Sequence, residues 1–144
     1  MALREFADES DDVTLIELGN FPPFFSGGTQ AADLALASGA TAIVAFNDLV
    51  AAGLVDRLRH RGINVPTDIS VTGFDNVPMS TLVWPNLTTV DFPRIQMGRA
   101  SVDALLDTVL GRSTGPRPNV EIAVELVVRQ STGVVPAGTT ASAQ

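Results

Sequence analysis

Apolar residues recur with two alternating periods along the first half of the chain. The unbroken apolar run at 42–46 and the largely apolar, β-branched stretches at 13–18 and 69–74 have the composition of strands. Between them, residues 26–39 and 49–58 carry small or apolar side chains at helical spacing, and glycine marks the end of each stretch. The run at 42–46 indicates a strand buried on both faces, although a buried helix has the same pattern. This alternation predicts an α/β fold, a parallel sheet with flanking helices.

The pattern changes after the third predicted strand. Residues 77–93 contain three prolines and are predicted to be irregular. A helix with one apolar face is expected from about Arg94 to Leu110. The alternation of apolar and polar residues at 120–129 indicates one strand buried on one face, or two short strands. The segment 132–144 is rich in Gly, Ala, Ser and Thr and is expected to be a disordered tail.

The composition fits one folded domain without catalytic chemistry. The 144 residues are 45% hydrophobic and 17% charged, which excludes an intrinsically disordered chain. The chain has no cysteine, and His60 is its single histidine, so cysteine-ligated zinc and Ser-His-Asp catalysis are not expected. No metal site, cofactor motif or acid-base pair stands out, and the sequence gives no case for an enzyme.

The charge distribution argues against a nucleic-acid or membrane surface. The formal net charge is −7, and all nine basic residues are arginines. Such a chain offers no surface for wrapping a nucleic-acid backbone, so a DNA partner would have to be held from outside these residues. No apolar run approaches the roughly 18 to 20 residues that span a bilayer, and residues 1–12 are acidic, unlike a secretory signal. A cytoplasmic location is therefore expected.

Polar or aromatic residues follow each of the three predicted strands. They are Asn20 with Phe21, then Asn47, then Asp75. In open α/β sheets, ligands bind outside the carboxyl ends of the strands, so these positions are expected to converge. Amide and carboxylate groups can hydrogen-bond vicinal hydroxyls, and an aromatic ring can cover a sugar or base face. The pattern predicts a small hydroxylated ligand bound by Phe21, Asn47 and Asp75.

Each candidate also has a simpler interpretation. Asn47 and Asp75 can cap the helices that follow them, and Phe21, beside two prolines, can be a packed loop aromatic. The basic cluster at 57–61 suits a helix C-terminus better than a nucleic-acid site. Gly27-Gly28 precedes a helix but lacks the glycine and lysine spacing of a phosphate-binding loop.

Six short motifs together resemble the C-terminal part of LacI/GalR-family transcription regulators. Any one of them is weak, but their order and intervals are specific. They are residues 41–48 (TAIVAFND), 61–71 (RGINVPTDISV), 73–76 (GFDN), 87–90 (LTTV), 97–98 (MG) and 125–129 (ELVVR). Residues 19–21 (GNF) and 26–27 (SG) extend the resemblance toward the N-terminus.

The resemblance implies a fold and a set of ligand contacts. The fold would be an incomplete C-terminal lobe of the type I periplasmic-binding-protein-like kind. Residues 1–131 would form a partial effector-binding domain, and the helix at 94–111 would belong to a missing N-terminal lobe. In that family the positions of Asn47 and Asp75 contact effector hydroxyls, and an aromatic at the position of Phe21 stacks on the ligand.

The resemblance also implies a function. The chain would be the ligand-sensing part of a repressor that binds a sugar or nucleoside effector and requires no cofactor. Its partner would be a second copy, facing the helix near Asp48 and the segment near Trp84. DNA would be reached only through a helix-turn-helix that this sequence lacks, so the chain is expected to be a fragment. The alternative is a periplasmic-type solute-binding protein, against which the acidic start argues.

Overall fold

The computed structural model describes residues 2–112 and 121–135 of the chain. Helices and short strands alternate through these residues, and one 3-10 turn lies at Pro78–Thr81. The elements are α1 (Ala2–Asp8), α2 (Phe25–Ala37), β1 (Ala42–Val44), α3 (Asp48–His60), β2 (Ser70–Thr72), β3 (Thr89–Asp91), α4 (Arg94–Val109) and β4 (Glu125–Val127).

The core forms where α3 packs on the paired strands β1 and β2. The strands are parallel, with Ile43 opposite Val71, and Thr88 adds a parallel bridge to Thr72. Short connections with a helix between parallel strands are what the sequence predicts, and the α/β class is confirmed. The fully buried members of the core are Leu54, Leu58, Ile69, Val71 and Leu87.

Glycines allow α2 and α3 to approach closely. A Cβ atom on Gly28 would lie 2.0 Å from the carbonyl oxygen of Val50. A Cβ atom on Gly53 would lie 2.0 Å from the carbonyl oxygen of Phe25. No side chain fits at these distances, so each helix presents backbone directly to the other. The contact buries the small face of α2, which consists of Ala31, Ala32 and Ala35.

The segment after β4 closes the second edge of β2. The Val71 amide donates to the Ser131 carbonyl oxygen at 2.9 Å. The buried Ser131 hydroxyl donates to the Val71 carbonyl at 2.6 Å and accepts from the Thr88 amide at 2.8 Å. The neighbouring strands β3 and β4 form an antiparallel pair with Val90 opposite Leu126. Backbone groups at this edge of the sheet are therefore satisfied by the end of the described chain.

Two strand predictions from the first half are corrected. Residues 13–18 form no strand, because a strand needs a hydrogen-bonded neighbour and the described residues place none beside them. Strand β1 is buried on one face only, against the prediction for 42–46. Val44 is 61% and Phe46 is 76% exposed. Both helices that pack on the core cover the opposite face, so these apolar side chains meet solvent.

Two predictions from the second half are also corrected. The segment 77–93 contains a 3-10 turn and strand β3, although three prolines suggested irregular backbone. Among the described residues of 120–129, only Glu125–Val127 is strand, and the Leu126 and Val128 side chains are exposed. The alternating pattern is present, but no element covers its apolar face.

Helix α4 matches its predicted bounds and leaves its apolar stripe uncovered. No residue of this helix is buried, and Ile95, Leu105 and Val109 are each more than half exposed. The assignment of this helix to a missing lobe, which the resemblance implied, stays a prediction. Residues 136–144 of the expected disordered tail, and Val120, lie outside the described residues. Within the described residues, no helix is long and apolar enough to cross a membrane.

We expect Gly53→Ala to lower the free energy of unfolding by about 1–3 kcal/mol, because the added methyl group meets the Phe25 carbonyl and forces α2 and α3 apart. Urea denaturation followed by circular dichroism measures the change. Gly98→Ala is the matched control, since Gly98 is also in a helix but has open space around its Cβ position. We expect that variant to be stabilised by about 0.5–1 kcal/mol. Equal effects in the two variants would contradict the packing argument.

Candidate functional site

The carboxyl ends of β1 and β2 meet at one edge of the sheet. The Asp48 amide, just after β1, donates to the Phe74 carbonyl oxygen at 2.9 Å. The Asp75 amide donates onward to the Val90 carbonyl oxygen at 3.0 Å, which links the same edge to β3. The predicted convergence of these strand ends is therefore present in the fold.

Asn47 caps helix α3. Its Oδ1 accepts from the Val50 amide at 2.9 Å, and its backbone is extended, as an N-cap requires. Its Nδ2 donates to the Pro23 carbonyl oxygen at 3.1 Å and so fixes the loop that follows Phe21. The capping interpretation of Asn47 is confirmed, and one lone pair of Oδ1 remains for a further donor.

Phe21 is a packed loop aromatic. Its ring is half-buried against the hydrophobic core, as the simpler interpretation predicted, while Asn20 is exposed. The hydrogen bond from Asn47 to Pro23 brings this loop to the end of β1. Phe21 is therefore two residues along the chain from the carbonyl that Asn47 binds, and Asp75 follows Phe74, whose carbonyl oxygen accepts from the amide next to Asn47.

Asp75 has an environment unlike the other two candidates. Its φ is +102°, followed by +47° at Asn76, and both values lie in the left-handed region that favours glycine. Among the described residues its carboxylate accepts no hydrogen bond and caps no helix, so the capping interpretation is wrong for Asp75. Burial raises the pKa of Asp75, and the nearby Asp48 raises it further, while Arg94 acts in the opposite direction.

Aromatic rings and an arginine lie beside Asp75. The rings of Phe74 and Phe92 have centroids 5.8 Å apart, and the Arg94 guanidinium carbon lies 6.0 Å from the Phe92 centroid. Arg94 also donates a hydrogen bond to the Asp75 carbonyl oxygen. Sequence reasoning did not select Phe74, Phe92 or Arg94. The exposed Phe74 ring and the half-buried Phe92 ring, next to a carboxylate, offer both stacking and hydroxyl recognition.

Asp48 lies under the Asp75 turn and is 1% exposed. Its Oδ1 accepts from the Thr89 hydroxyl at 2.6 Å, and its Oδ2 accepts from the Val77 amide at 2.8 Å. A Cβ atom on Gly73 would lie 2.2 Å from Asp48 Oδ1, so only glycine fits there. The sequence did not indicate a buried role for Asp48, because aspartate is usually found at the surface.

Arg129 holds the other side of the same turn. Its guanidinium donates to Asn76 Oδ1 at 2.7 Å, to the Leu87 carbonyl oxygen at 2.7 Å and to Ser80 Oγ at 3.1 Å. The alternating pattern at 120–129 suggested that Arg129 points to solvent, and the structure corrects this. Its acceptors are all uncharged, so the guanidinium acts as a fork of donors that joins three backbone segments.

The weaker candidates have structural roles. Asp33 of α2 accepts from Arg57 at 2.7 Å, and this guanidinium holds the Asp33 pKa below its usual range. The basic cluster is thus partly paired between α2 and α3. A Cβ atom on Gly27 would lie 1.9 Å from the Pro22 carbonyl oxygen, so close packing explains that glycine. No group of metal-ligating side chains occurs in the part of the chain that the structure describes.

The edge around Asp75 is open. Two depressions lie elsewhere on the described surface, one between α1 and residues 13–17 and one beside Ile63 and Trp84. Neither is lined by Phe21, Asn47 or Asp75. The candidate site is therefore one wall of a site, with polar and aromatic groups on a surface that nothing in the described residues covers.

Comparison with known proteins finds a matching family model and several similar transcriptional regulators. A family model described as a periplasmic binding protein-like domain matches residues 12–132. The HTH-type transcriptional regulator MalR of Streptomyces coelicolor is 39% identical over 110 residues, covering 76% of this chain and 32% of that protein. The chain spans about a third of the length of the curated relatives it matches.

Two solved structures show the same fold. The transcription regulator CcpA of Lactococcus lactis superposes with a TM-score of 0.79 at 26% identity, covering 91% of this chain and 48% of that one. A LacI family transcriptional regulator from Enterococcus faecium, solved with bound ribose, gives a TM-score of 0.68 at 33% identity. It covers 76% of this chain and 40% of that one.

We expect Asp75→Asn to raise the free energy of unfolding near neutral pH, with a gain that shrinks as the pH falls through the raised pKa of the folded state and is absent below about 4, the unfolded value. A pKa raised by folding means that the ionised carboxylate destabilises the folded state. This penalty is full above the folded pKa and absent below the unfolded pKa, and asparagine does not ionise. Urea denaturation over a pH series measures the gain. Asp103→Asn, on exposed α4, is the control, and a gain that persists unchanged at low pH would contradict the electrostatic cause.

Proposed function

The chain belongs to the periplasmic binding protein-like domain family, in its group of LacI-type transcriptional regulators, and we propose that it senses a small sugar for such a regulator. The ligand would lie at the carboxyl ends of β1 and β2, and Phe21, Asn47 and Asp75 would contact it. A nucleoside is the second ligand class, because it also presents vicinal hydroxyls.

The turn at Asp75 is the observation that carries this proposal. A non-glycine residue with φ of +102° is rare, and such strain persists only where the surroundings hold it. Its carboxylate has a raised pKa and no hydrogen-bond donor among the described residues. The carboxylate is partly exposed, so it can accept hydroxyl groups of a ligand. Strained residues with a perturbed pKa are often found at functional sites.

The surroundings of Asp75 favour a ring with one apolar and one hydroxylated side. Phe74 is 40% exposed and pairs with Phe92, so an apolar ring face can lie on this surface. The free lone pair of Asn47 Oδ1 can accept one hydroxyl. The ribose bound to the Enterococcus faecium regulator is a ligand of that chemistry and supports the assignment.

A regulator responds only if the ligand binds its two conformations with different affinity. The Asp75 amide contacts β3, and its carbonyl oxygen accepts from Arg94 at the start of α4. A ligand held by Asp75 would therefore act directly on the segment that leads into α4. We infer that binding closes a cleft between this lobe and a second one.

For the whole regulator we propose a cytoplasmic homodimer that acts without catalysis. DNA contact would belong to a helix-turn-helix segment other than the residues described above, since a net charge of −7 does not favour a phosphate backbone. The curated relatives are transcriptional regulators, which supports this role over a solute-binding protein or an enzyme.

We expect D-ribose, cellobiose or lactose to shift the amide NMR signals of Asn47, Asp75 and Asn76 in the isotope-labelled chain. One wall supplies only part of the contacts, so a Kd of about 1 mM or weaker is expected. Asp75→Ala should weaken binding at least about tenfold, because the ligand hydroxyls lose their acceptor. Asp103→Ala is the control. Unchanged affinity in Asp75→Ala, or no binding of any of these sugars, would contradict the sugar proposal. A parallel titration with uridine tests the second ligand class, and signal shifts with uridine alone would favour a nucleoside.

We expect Asn47→Ser to weaken sugar binding while the free energy of unfolding falls by only about 0.5–1.5 kcal/mol, because the hydrogen bond from Nδ2 to the Pro23 carbonyl oxygen is lost. Serine caps helices about as well as asparagine, so α3 keeps its N-cap, but the longer amide group is lost. Sugar titration and urea denaturation of the same variant separate the two roles. Affinity equal to that of the original chain would leave Asn47 with capping alone.

A further inference from the structure

We infer that Asp48 is a positioning residue of this ligand site, a buried carboxylate that fixes the Asp75-Asn76 turn by accepting from the Val77 amide beside the turn and from the Thr89 hydroxyl that holds the Asn76 amide. The inference rests on the proposed function for its meaning, since the turn carries the proposed ligand contact. Asp48 itself does not face the ligand, because its side chain lies beneath the turn.

Two hydrogen-bond paths run from the turn to the Asp48 carboxylate. The Val77 amide donates directly to Oδ2 at 2.8 Å. The Asn76 amide donates to the Thr89 hydroxyl at 3.3 Å, and that hydroxyl donates to Oδ1 at 2.6 Å. Thr89 is fully buried, so its hydroxyl has no water to replace this arrangement. Consecutive amides of the turn therefore end on one carboxylate.

This arrangement requires two acceptor atoms on residue 48. The Thr89 hydroxyl accepts from the Asn76 amide and donates its own proton to one of them, and the Val77 amide donates to the other. A carboxylate accepts both, whereas an asparagine side chain has one oxygen and places an NH2 group against the other donor. The missing side chain of Gly73 leaves the space that the carboxylate enters, since a Cβ atom there would lie 2.2 Å from Oδ1.

A second reason to assign a positioning role is the conformation that the carboxylate supports. A φ of +102° at Asp75 lies beyond the left-handed values that asparagine and aspartate commonly adopt, so surrounding contacts must determine it. Asp48 and Thr89 come from α3 and β3, so they tie the turn to two separately packed elements. The direction of the Asp75 side chain is set by that backbone, and Asp48 thereby acts on the ligand through Asp75.

Amide hydrogen exchange measured by NMR on the 144-residue chain tests the inference. Asp48→Asn should accelerate exchange at Asn76 at least about tenfold, while the amide of buried Leu54 in α3 changes by less than about threefold. Thr89→Val removes only the hydroxyl that links the Asn76 amide to Asp48. It should accelerate exchange at Asn76 while the Val77 amide stays protected from exchange. Thr89→Ser retains the hydroxyl and should restore the original exchange at Asn76. Asp56→Asn, on the exposed side of α3, is the control and should change neither position.

The outcomes separate this inference from the proposed function. Selective loss of protection at the turn, rescued by Thr89→Ser, supports positioning by Asp48. Equal acceleration at Asn76 and Leu54 would overturn the inference, because it would assign Asp48 a general role in stability. Unchanged exchange in both Asp48→Asn and Thr89→Val would overturn it as well. Exchange needs no ligand, so a failure of D-ribose and cellobiose to bind bears on the proposed function alone. If either sugar binds, Asp48→Asn should weaken its binding about threefold or more.

Discussion

A buried carboxylate joins the three segments that form the open edge of this domain. Asp48 begins α3, Thr89 lies in β3 and Val77 follows the turn after β2, and all three meet at the two oxygens of one side chain. Burying an ion is unfavourable unless hydrogen bonds replace water, and here two donors do so. The constraint works in both directions. The carboxylate requires these donors, and the segments require a common acceptor to lie next to one another.

The strained turn is held from opposite sides by groups of opposite charge. Asp48 accepts from the Val77 amide just after the turn, and the Arg129 guanidinium donates to Asn76 Oδ1 within it. The two ions do not pair with each other; each is satisfied by uncharged groups of the chain. Such an arrangement fixes the backbone between them without neutralising Asp75, which keeps its carboxylate directed away from the fold's own donors.

The extent of successful prediction follows from the range of the interactions involved. Helices α2 and α3 depend on local spacing and a final glycine, and both were predicted from the sequence. The strand expected at 13–18 and the two-faced burial expected at 42–46 were wrong, because strands depend on neighbours that local pattern does not specify. Asn47 was correctly given a capping role, which is local. The roles of Asp48 and Arg129 arise from partners tens of residues away, and no short-range signal distinguishes them from surface charges. The ligand contacts of Asp75 remain a prediction.

The closure of β2 by Ser131 has a consequence for how the chain is made. The amides of Val71 and Thr88 find their acceptors on a residue that the ribosome adds 60 and 43 positions later. Until then, one edge of the central strand has open hydrogen-bonding groups, and such edges recruit other chains. The sheet is therefore completed only after Ser131 has been added. A nascent chain stalled before Ser131 would expose that edge, and it would be a natural client for chaperones that shield unpaired strands.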